Sequence, residues 1–240
     1  MWTPRQTRWK PESRGASGVI SARGLCKRFH VGESVIEVLR GADLDVAQGE
    51  TVAIVGPSGV GKSTLLHLLG GLDRPDRGSV TIASTALLDL NDRELANFRN
   101  RHIGFVFQFH HLLAEFTAVE NVMMPLLIRD LPRGGAHDKA QALLEELGLD
   151  DRSSHLPSEL SGGERQRVAF ARALVAEPTV ILADEPSGNL DGERSEALHD
   201  AMITYARGRG QTFVVVTHDS TLASRVDRVV RLEGGLLGPE

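Results

Sequence analysis

The sequence predicts an α/β fold, a parallel-sheet core with an antiparallel β edge and an inserted helical subdomain, and three patterns carry that prediction. Short apolar runs rich in β-branched residues, TVAIV (Thr51–Val55), IGFVF (103–107), VILAD (Val180–Asp184) and FVVVT (213–217), alternate with helical stretches. Unbroken apolar runs of this length suit parallel strands covered on both faces. Residues 19–46 read instead as short extended segments turning around Gly32, which suits an antiparallel edge. Between Phe109 and about residue 171 the strand signal stops, while AQALLEELG (140–148) and GERQRVAFARALVA (163–176) carry helical apolar spacing. That stretch, 109–171, is expected to form the helical subdomain within a single unit spanning 19–240.

With 240 residues, 41% of them hydrophobic, the chain can bury a substantial core. Its single cysteine, Cys26, excludes an internal disulfide, fits a reducing cytoplasmic setting, and is expected to be a small buried hydrophobe. A net charge of −5 lacks the basic excess of a nucleic-acid binder, so no nucleic-acid partner is expected. The apolar segment 122–128, interrupted by Pro125, falls far short of the roughly 20 residues a membrane helix needs. Residues 1–18 are polar and basic, hold Trp2 and Trp9, and are expected to be a disordered tail; Arg5, Arg8, Lys10 and Arg14 beside two indoles also suit an anionic membrane surface.

The chemistry begins after the first core strand. GPSGVGKST supplies Gly56, Pro57, Ser58, Gly59, Val60, Gly61, Lys62, Ser63 and Thr64, a G-x-x-x-x-G-K-[ST] loop placed between a strand and a helix that runs from near Lys62 to Gly70 and Gly71. Glycines let backbone N–H groups converge on phosphate oxygens, the helix N-terminus adds partial positive charge, Lys62 reaches the β and γ phosphates, and Ser63 offers a hydroxyl to Mg²⁺. ATP with Mg²⁺ is therefore the expected ligand. VILADEP ends its strand in two acids: Asp184 is placed to hold the Mg²⁺ shell and Glu185 to polarise an attacking water. His218 follows the strand at 213–217, where a lone histidine is more often an ordinary loop residue but can bond a γ-phosphate; the adjacent His110 and His111 diverge and lack a completing carboxylate or thiol, so no metal is expected there.

LSGGERQ (160–166), with the two nucleotide motifs in this order, closely resembles the signature of the ABC ATPases, and the likeness covers nearly the whole chain from Val19 onward. The resemblance implies a P-loop NTPase (RecA-like) core. It further implies that Phe29 stacks on adenine, that Gln108 is the Q-loop glutamine reaching the metal and γ-phosphate, that SGNLD (187–191) is the D-loop with Asp191, and that His218 is the switch histidine. Two departures from the commoner pattern are noted, Phe29 for Tyr and Ser187 for Thr. Ser161, Gly162 and Gly163 open a helix and can grip a γ-phosphate, but they lie far along the chain from Lys62. In the family this is resolved by a homodimer in which each signature completes the partner's site.

FQFHHLLAEFTAVENVMMPLLI (107–128), with CKRFHVGE (26–33) and HLLGGLD (67–73), looks like the ATPases of Gram-negative lipoprotein-releasing systems. That likeness implies integral inner-membrane subunits as partners, a peripheral position on the cytoplasmic face of the inner membrane, and release of lipoproteins toward the outer membrane. Phe109, Leu112, Leu113 and Phe116 would then offer an apolar patch to a coupling helix of the membrane subunit. A macrolide-exporter or cell-division ATPase would carry indistinguishable nucleotide motifs. A soluble ABC protein acting on nucleic acid or ribosomes would need insertions for which 108–160 has no room.

Overall fold

The computed structural model describes residues 18–32 and 34–240, so the expected basic tail, apart from Gly18, lies outside the described residues. Strands β1 (Ile20–Val31) and β2 (Ser34–Val46) form the expected antiparallel hairpin. The buried run β3 (Thr51–Val55) leads through the glycine loop into α1 (Lys62–Leu69). Next come β4 (Arg77–Ile82) and β5 (Thr85–Ala86), which extend the hairpin sheet in the order β2-β1-β4-β5. After α2 (Asp92–His102) and β6 (Ile103–Val106), three helices follow without an intervening strand: α3 (Ala118–Leu127), α4 (Arg133–Glu146) and α5 (Gly162–Leu174). The chain then returns to β7 (Val180–Asp184), α6 (Gly192–Arg209), β8 (Thr212–Val216), α7 (Ser220–Ala223), β9 (Arg228–Glu233) and β10 (Leu236–Pro239).

The second sheet has the order β10-β9-β3-β8-β7-β6, parallel except for β10. Period-two alternation divides its buried side chains between two cores. Val52 and Ile54 of β3, with Val214 and Val216 of β8, face α1, α2 and the hairpin sheet. Ala53 and Val55, with Phe213 and Val215, face α3 to α6. Helix α1 is thus held between two sheets. Burial of each such side chain contributes roughly 1.5–3 kcal/mol, and the phosphate loop rests on that anchored helix. Cys26 is only half-buried, its Sγ 3.6 Å from the Gly24 carbonyl, because register shifts in β1 around it leave the strand facing partly outward. The expectation of a buried cysteine is corrected accordingly.

Sheet order positions the chemistry. Strand β8 lies between β3 and β7, so the loops leaving the C-terminal ends of these three parallel strands are neighbours. Beyond β6, Asn121 on α3 is fully buried, and its amide bonds the Leu113 N–H and the carbonyls of Leu113, Phe116 and Thr117. One side chain therefore ties the loop 113–117 to the helix that follows it. Losing it would leave buried groups unsatisfied at roughly 1–3 kcal/mol each.

Candidate active site

The loop after β3 is built on left-handed glycines, with Gly56 at φ 153°, Gly59 at 76° and Gly61 at 108°. Space as well as φ demands glycine at two of them. A Cβ on Gly56 would meet the Leu232 carbonyl oxygen at 2.4 Å, and one on Gly61 would meet Cγ1 of Val38 at 2.3 Å. Pro57, Ser58 and Gly59 stand exposed at the rim, Val60 packs partly against the core, and Thr64 is half-buried in the first turn of α1. No side chain caps α1 and no acid sits in its first turn, so its N-terminal N–H groups face the loop without an internal competitor. Lys62 is buried, its ammonium donating to the carbonyls of Gly56 and Pro57 at 3.0 and 3.2 Å.

Three strand ends bring the remaining groups to this loop. Ser63 Oγ donates to Asp184 Oδ1 at 3.0 Å across 121 positions of sequence. Burial raises the Asp184 carboxyl above its ordinary range, only partly offset by the Ser63 hydrogen bond. An oxygen pair whose carboxylate is costly to ionise suits a hard divalent cation, which restores the charged form. Glu185 lies with one carboxylate oxygen 4.0 Å from Lys62 Nζ and the other 2.7 Å from His218 Nδ1. The His218 backbone N–H also donates to Glu185 at 3.2 Å, while the imidazole is largely exposed. The Glu185 backbone is left-handed at φ 44°, held by its N–H donating to the Val216 carbonyl. Such a conformation costs on the order of 1–3 kcal/mol and concentrates at functional sites.

Gln108 follows β6; its carbonyl accepts from Asn189 Nδ2 at 3.0 Å, and its amide crowds Gly188, where a Cβ would meet Nε2 at 2.9 Å. The loop after β6 and the loop after β7 are thus joined. Asp191 caps α6, accepting from the Arg194 N–H at 3.1 Å and pairing with its guanidinium. Phe29 stands 40% exposed near the hairpin tip opposite Ile36, with the Lys27 ammonium 5.4 Å from its ring centre, so one aromatic surface is accessible. Ser161, Gly162 and Gly163 open α5, where the glycines face Leu190 and Arg194. Among the described residues no hydrogen bond or ion pair links them to residues 56–64. Within one chain the signature and the phosphate loop are therefore not brought together.

Several residues of the site escaped the sequence reading. Gln166 is fully buried, donates to the Phe107 carbonyl at 3.1 Å, and accepts a hydrogen bond from His110 Nδ1. Since the amide nitrogen must be the donor to that carbonyl, its oxygen faces His110, which fixes the proton on Nδ1. Burial lowers the His110 pKa. Arg172 donates to the carbonyls of His110 and His111 at 2.8 and 2.7 Å. Together they fasten the segment after Gln108 to α5. His111 meets the Phe107 ring edge-on at 5.4 Å. No spacing in the sequence singled these residues out: Gln166 and Arg172 are six positions apart on α5, about 120° around the helix axis.

A sequence model of the family described as ABC transporter matches residues 39–188. The lipoprotein-releasing system ATP-binding protein LolD of Geobacter metallireducens is 54% identical over 91% of this chain and 97% of its own length. That of Porphyromonas gingivalis is 52% identical over 92% and 100%. Among solved structures, the dimeric bacterial ABC transporter cassette MJ0796 superimposes with a TM-score of 0.85 at 39% identity, covering 91% of this chain and 96% of that one. Its post-hydrolysis dimer bound to ADP and phosphate also superimposes at 0.85, with 37% identity, over 92% of this chain and 98% of that one. The chain belongs to the ABC transporter family, as an ATP-hydrolysing cassette similar to the LolD proteins.

Proposed function

We propose that this chain is the ATPase subunit of a lipoprotein-releasing complex, working as a homodimer beneath integral inner-membrane subunits on the cytoplasmic face. The observation that carries the catalytic reading is the convergence of Lys62, Ser63, Asp184, Glu185 and His218 from three adjacent strand ends. The names and near-50% identities of its relatives support the lipoprotein-releasing role. No helix of the described residues is long and apolar enough to cross a membrane, and this reading assigns the transport path to the integral membrane subunits. Phe109 and Leu113, 66% and 43% exposed, offer apolar contact beside Gln108, with Leu112 and Phe116 more deeply set behind them.

In this reading Phe29 stacks on adenine, and the backbone N–H groups of residues 56–64 hold the phosphates. Lys62 transfers its hydrogen bonds from the Gly56 and Pro57 carbonyls to the β and γ oxygens. Ser63 and Asp184, with Gln108, would hold Mg²⁺, which neutralises charge developing on the phosphoryl group. Glu185 takes the proton of the attacking water, and His218 orients Glu185 while reaching the γ-phosphate. Ser161, Gly162 and Gly163, with Asp191, serve the partner's nucleotide, and residues 109–171 act as the inserted signature subdomain.

Replacing Glu185 by Gln keeps shape but removes the base. Turnover should fall by about 10²–10⁴-fold with ATP binding retained. The same variant, tagged and purified with ATP from detergent-solubilised membranes, should carry with it membrane subunits and trapped lipoproteins, identified by mass spectrometry. Undiminished turnover would remove Glu185 from its role. Recovery of a drug-export or cell-division membrane protein would move the cargo assignment.

A further inference from the structure

Two loops flank Glu185: one begins with Ser187, two positions later, and the other carries His218 and Asp219 after β8. A single buried side chain meets both. His199, on the second turn of α6 and 1% exposed, lies with Nε2 2.9 Å from Ser187 Oγ and 3.8 Å from Asp219 Oδ2. Ser187 is itself 6% exposed. Asp219 in turn accepts from the N–H groups of Thr221 and Leu222, and its own N–H donates to Thr217 Oγ1. His199, Ser187, His218 and Asp219 all line one cavity of about 300 Å³ between the two loops.

The proton on His199 can be placed. The Asp219 carboxylate lies nearer Nε2 and favours an N–H there, while Nδ1 is buried with no protein partner. An N–H left unpaired at Nδ1 would cost more than a bare lone pair. Nε2–H therefore donates to Ser187 Oγ. A helix interior rarely buries an imidazole to make one bond, since an apolar side chain would fill the same volume without desolvation cost. The bond has a mechanical consequence. The Gly188 N–H donates to the Glu185 carbonyl at 3.0 Å, so a fixed Ser187 also fixes the turn that holds Glu185 left-handed.

We propose that His199 is a positioning residue for ATP hydrolysis, tying the loop after Glu185 to the loop of His218 so that the Glu185 carboxylate keeps its place beside Lys62 and His218. It acts through Ser187 and not on the reacting atoms. The proposal rests on Glu185 acting as the base, and the Glu185→Gln measurement decides that point separately.

The test is steady-state ATPase kinetics on the full chain in its transporter complex, with His199→Met, His199→Gln, Ser187→Ala and the double variant Ser187→Ala/His199→Met. His199→Met fills the volume but cannot donate, and kcat should fall about tenfold with KM for ATP unchanged, the signature of misplaced chemistry rather than lost binding. His199→Gln, whose amide can reach the Nε2 position, should restore kcat to within about threefold. Ser187→Ala should reproduce the loss, and the double variant should lose no more than either single one, since both remove the same bond. Thermal melts check that every variant is folded. Unchanged kcat in folded His199→Met, or additive losses in the double variant, would overturn the proposal. So would a loss carried by KM alone. If Glu185→Gln hydrolyses ATP normally, the base assignment fails instead, whatever the His199 series shows.

Discussion

Helices α1 and α5 both start at glycine-rich turns that leave backbone N–H groups at the helix end, yet their first turns are furnished in opposite ways. At α1 the residue before the helix is Gly61 in the left-handed region, with neither a side-chain cap nor an acid in the first turn. At α5 Ser161 accepts from the Glu164 N–H at 3.3 Å, while Glu164 accepts from the Ser161 N–H at 2.7 Å. The α1 end needs a phosphate to satisfy it; the α5 end is already satisfied in the single chain. One terminus is therefore open to an anion by itself, whereas the other, in the proposed dimer, would meet one only when a second molecule brings it.

Four substitutions sharpen that contrast. Lys62→Ala should have the largest effect, with ATP affinity in the isolated chain falling beyond about a hundredfold by calorimetry, because the buried cation of the α1 site is gone. Ser161→Arg should leave that affinity unchanged while removing ATPase activity and ATP-induced dimers in size-exclusion chromatography. An active variant would place the signature outside the working site. Gly61→Ala combines a forbidden φ with the Val38 collision, and should destabilise the chain by about 2–3 kcal/mol in urea unfolding. Glu164→Gln should be mildest, losing about 1 kcal/mol or less at neutral pH.

The Glu164 effect also has a pH window. Its hydrogen bonds with the Ser161 N–H and hydroxyl, and the Arg152 ion pair behind them, hold the carboxyl at about 2. The unfolded chain titrates near 4.3. A depressed carboxyl stabilises the fold fully above the unfolded value and loses that contribution as pH falls from about 4.3 toward 2. The Gln variant should show a flatter acid limb across that range. Equal acid limbs would mean that the capping box contributes nothing.

Local chemistry explains what was legible early. The glycine loop, the strand Thr51–Val55 and the start of α1 at Lys62 each depend on neighbours within a few positions, and they appear where the pattern placed them. Strand β4 was not legible, because RGSVTI gains its strand character from pairing with β1, more than fifty positions earlier, and the two-residue β5 exists only through its pairing with β4. Cys26 looked like a core residue because its type is usually buried, whereas irregular register in β1 turned it outward. The family resemblance, not its place after a strand, points to His218 as a switch histidine, and its pairing with Glu185 is invisible in the sequence because 33 positions separate them.

The sequence by itself determined which chemistries are present: a phosphate cradle, a strand ending in two acids, and a second glycine-rich helix start. These are set by residue type over short spans, where backbone reach leaves few alternatives. Tertiary structure alone decided which of them meet. The order β3-β8-β7 lays Lys62, His218 and Asp184 side by side, and α6 carries His199 beneath the loops that flank Glu185. The same fold leaves Ser161 unlinked to the phosphate loop of its own chain. Contacts between distant positions follow from strand order and helix packing, which no local pattern encodes.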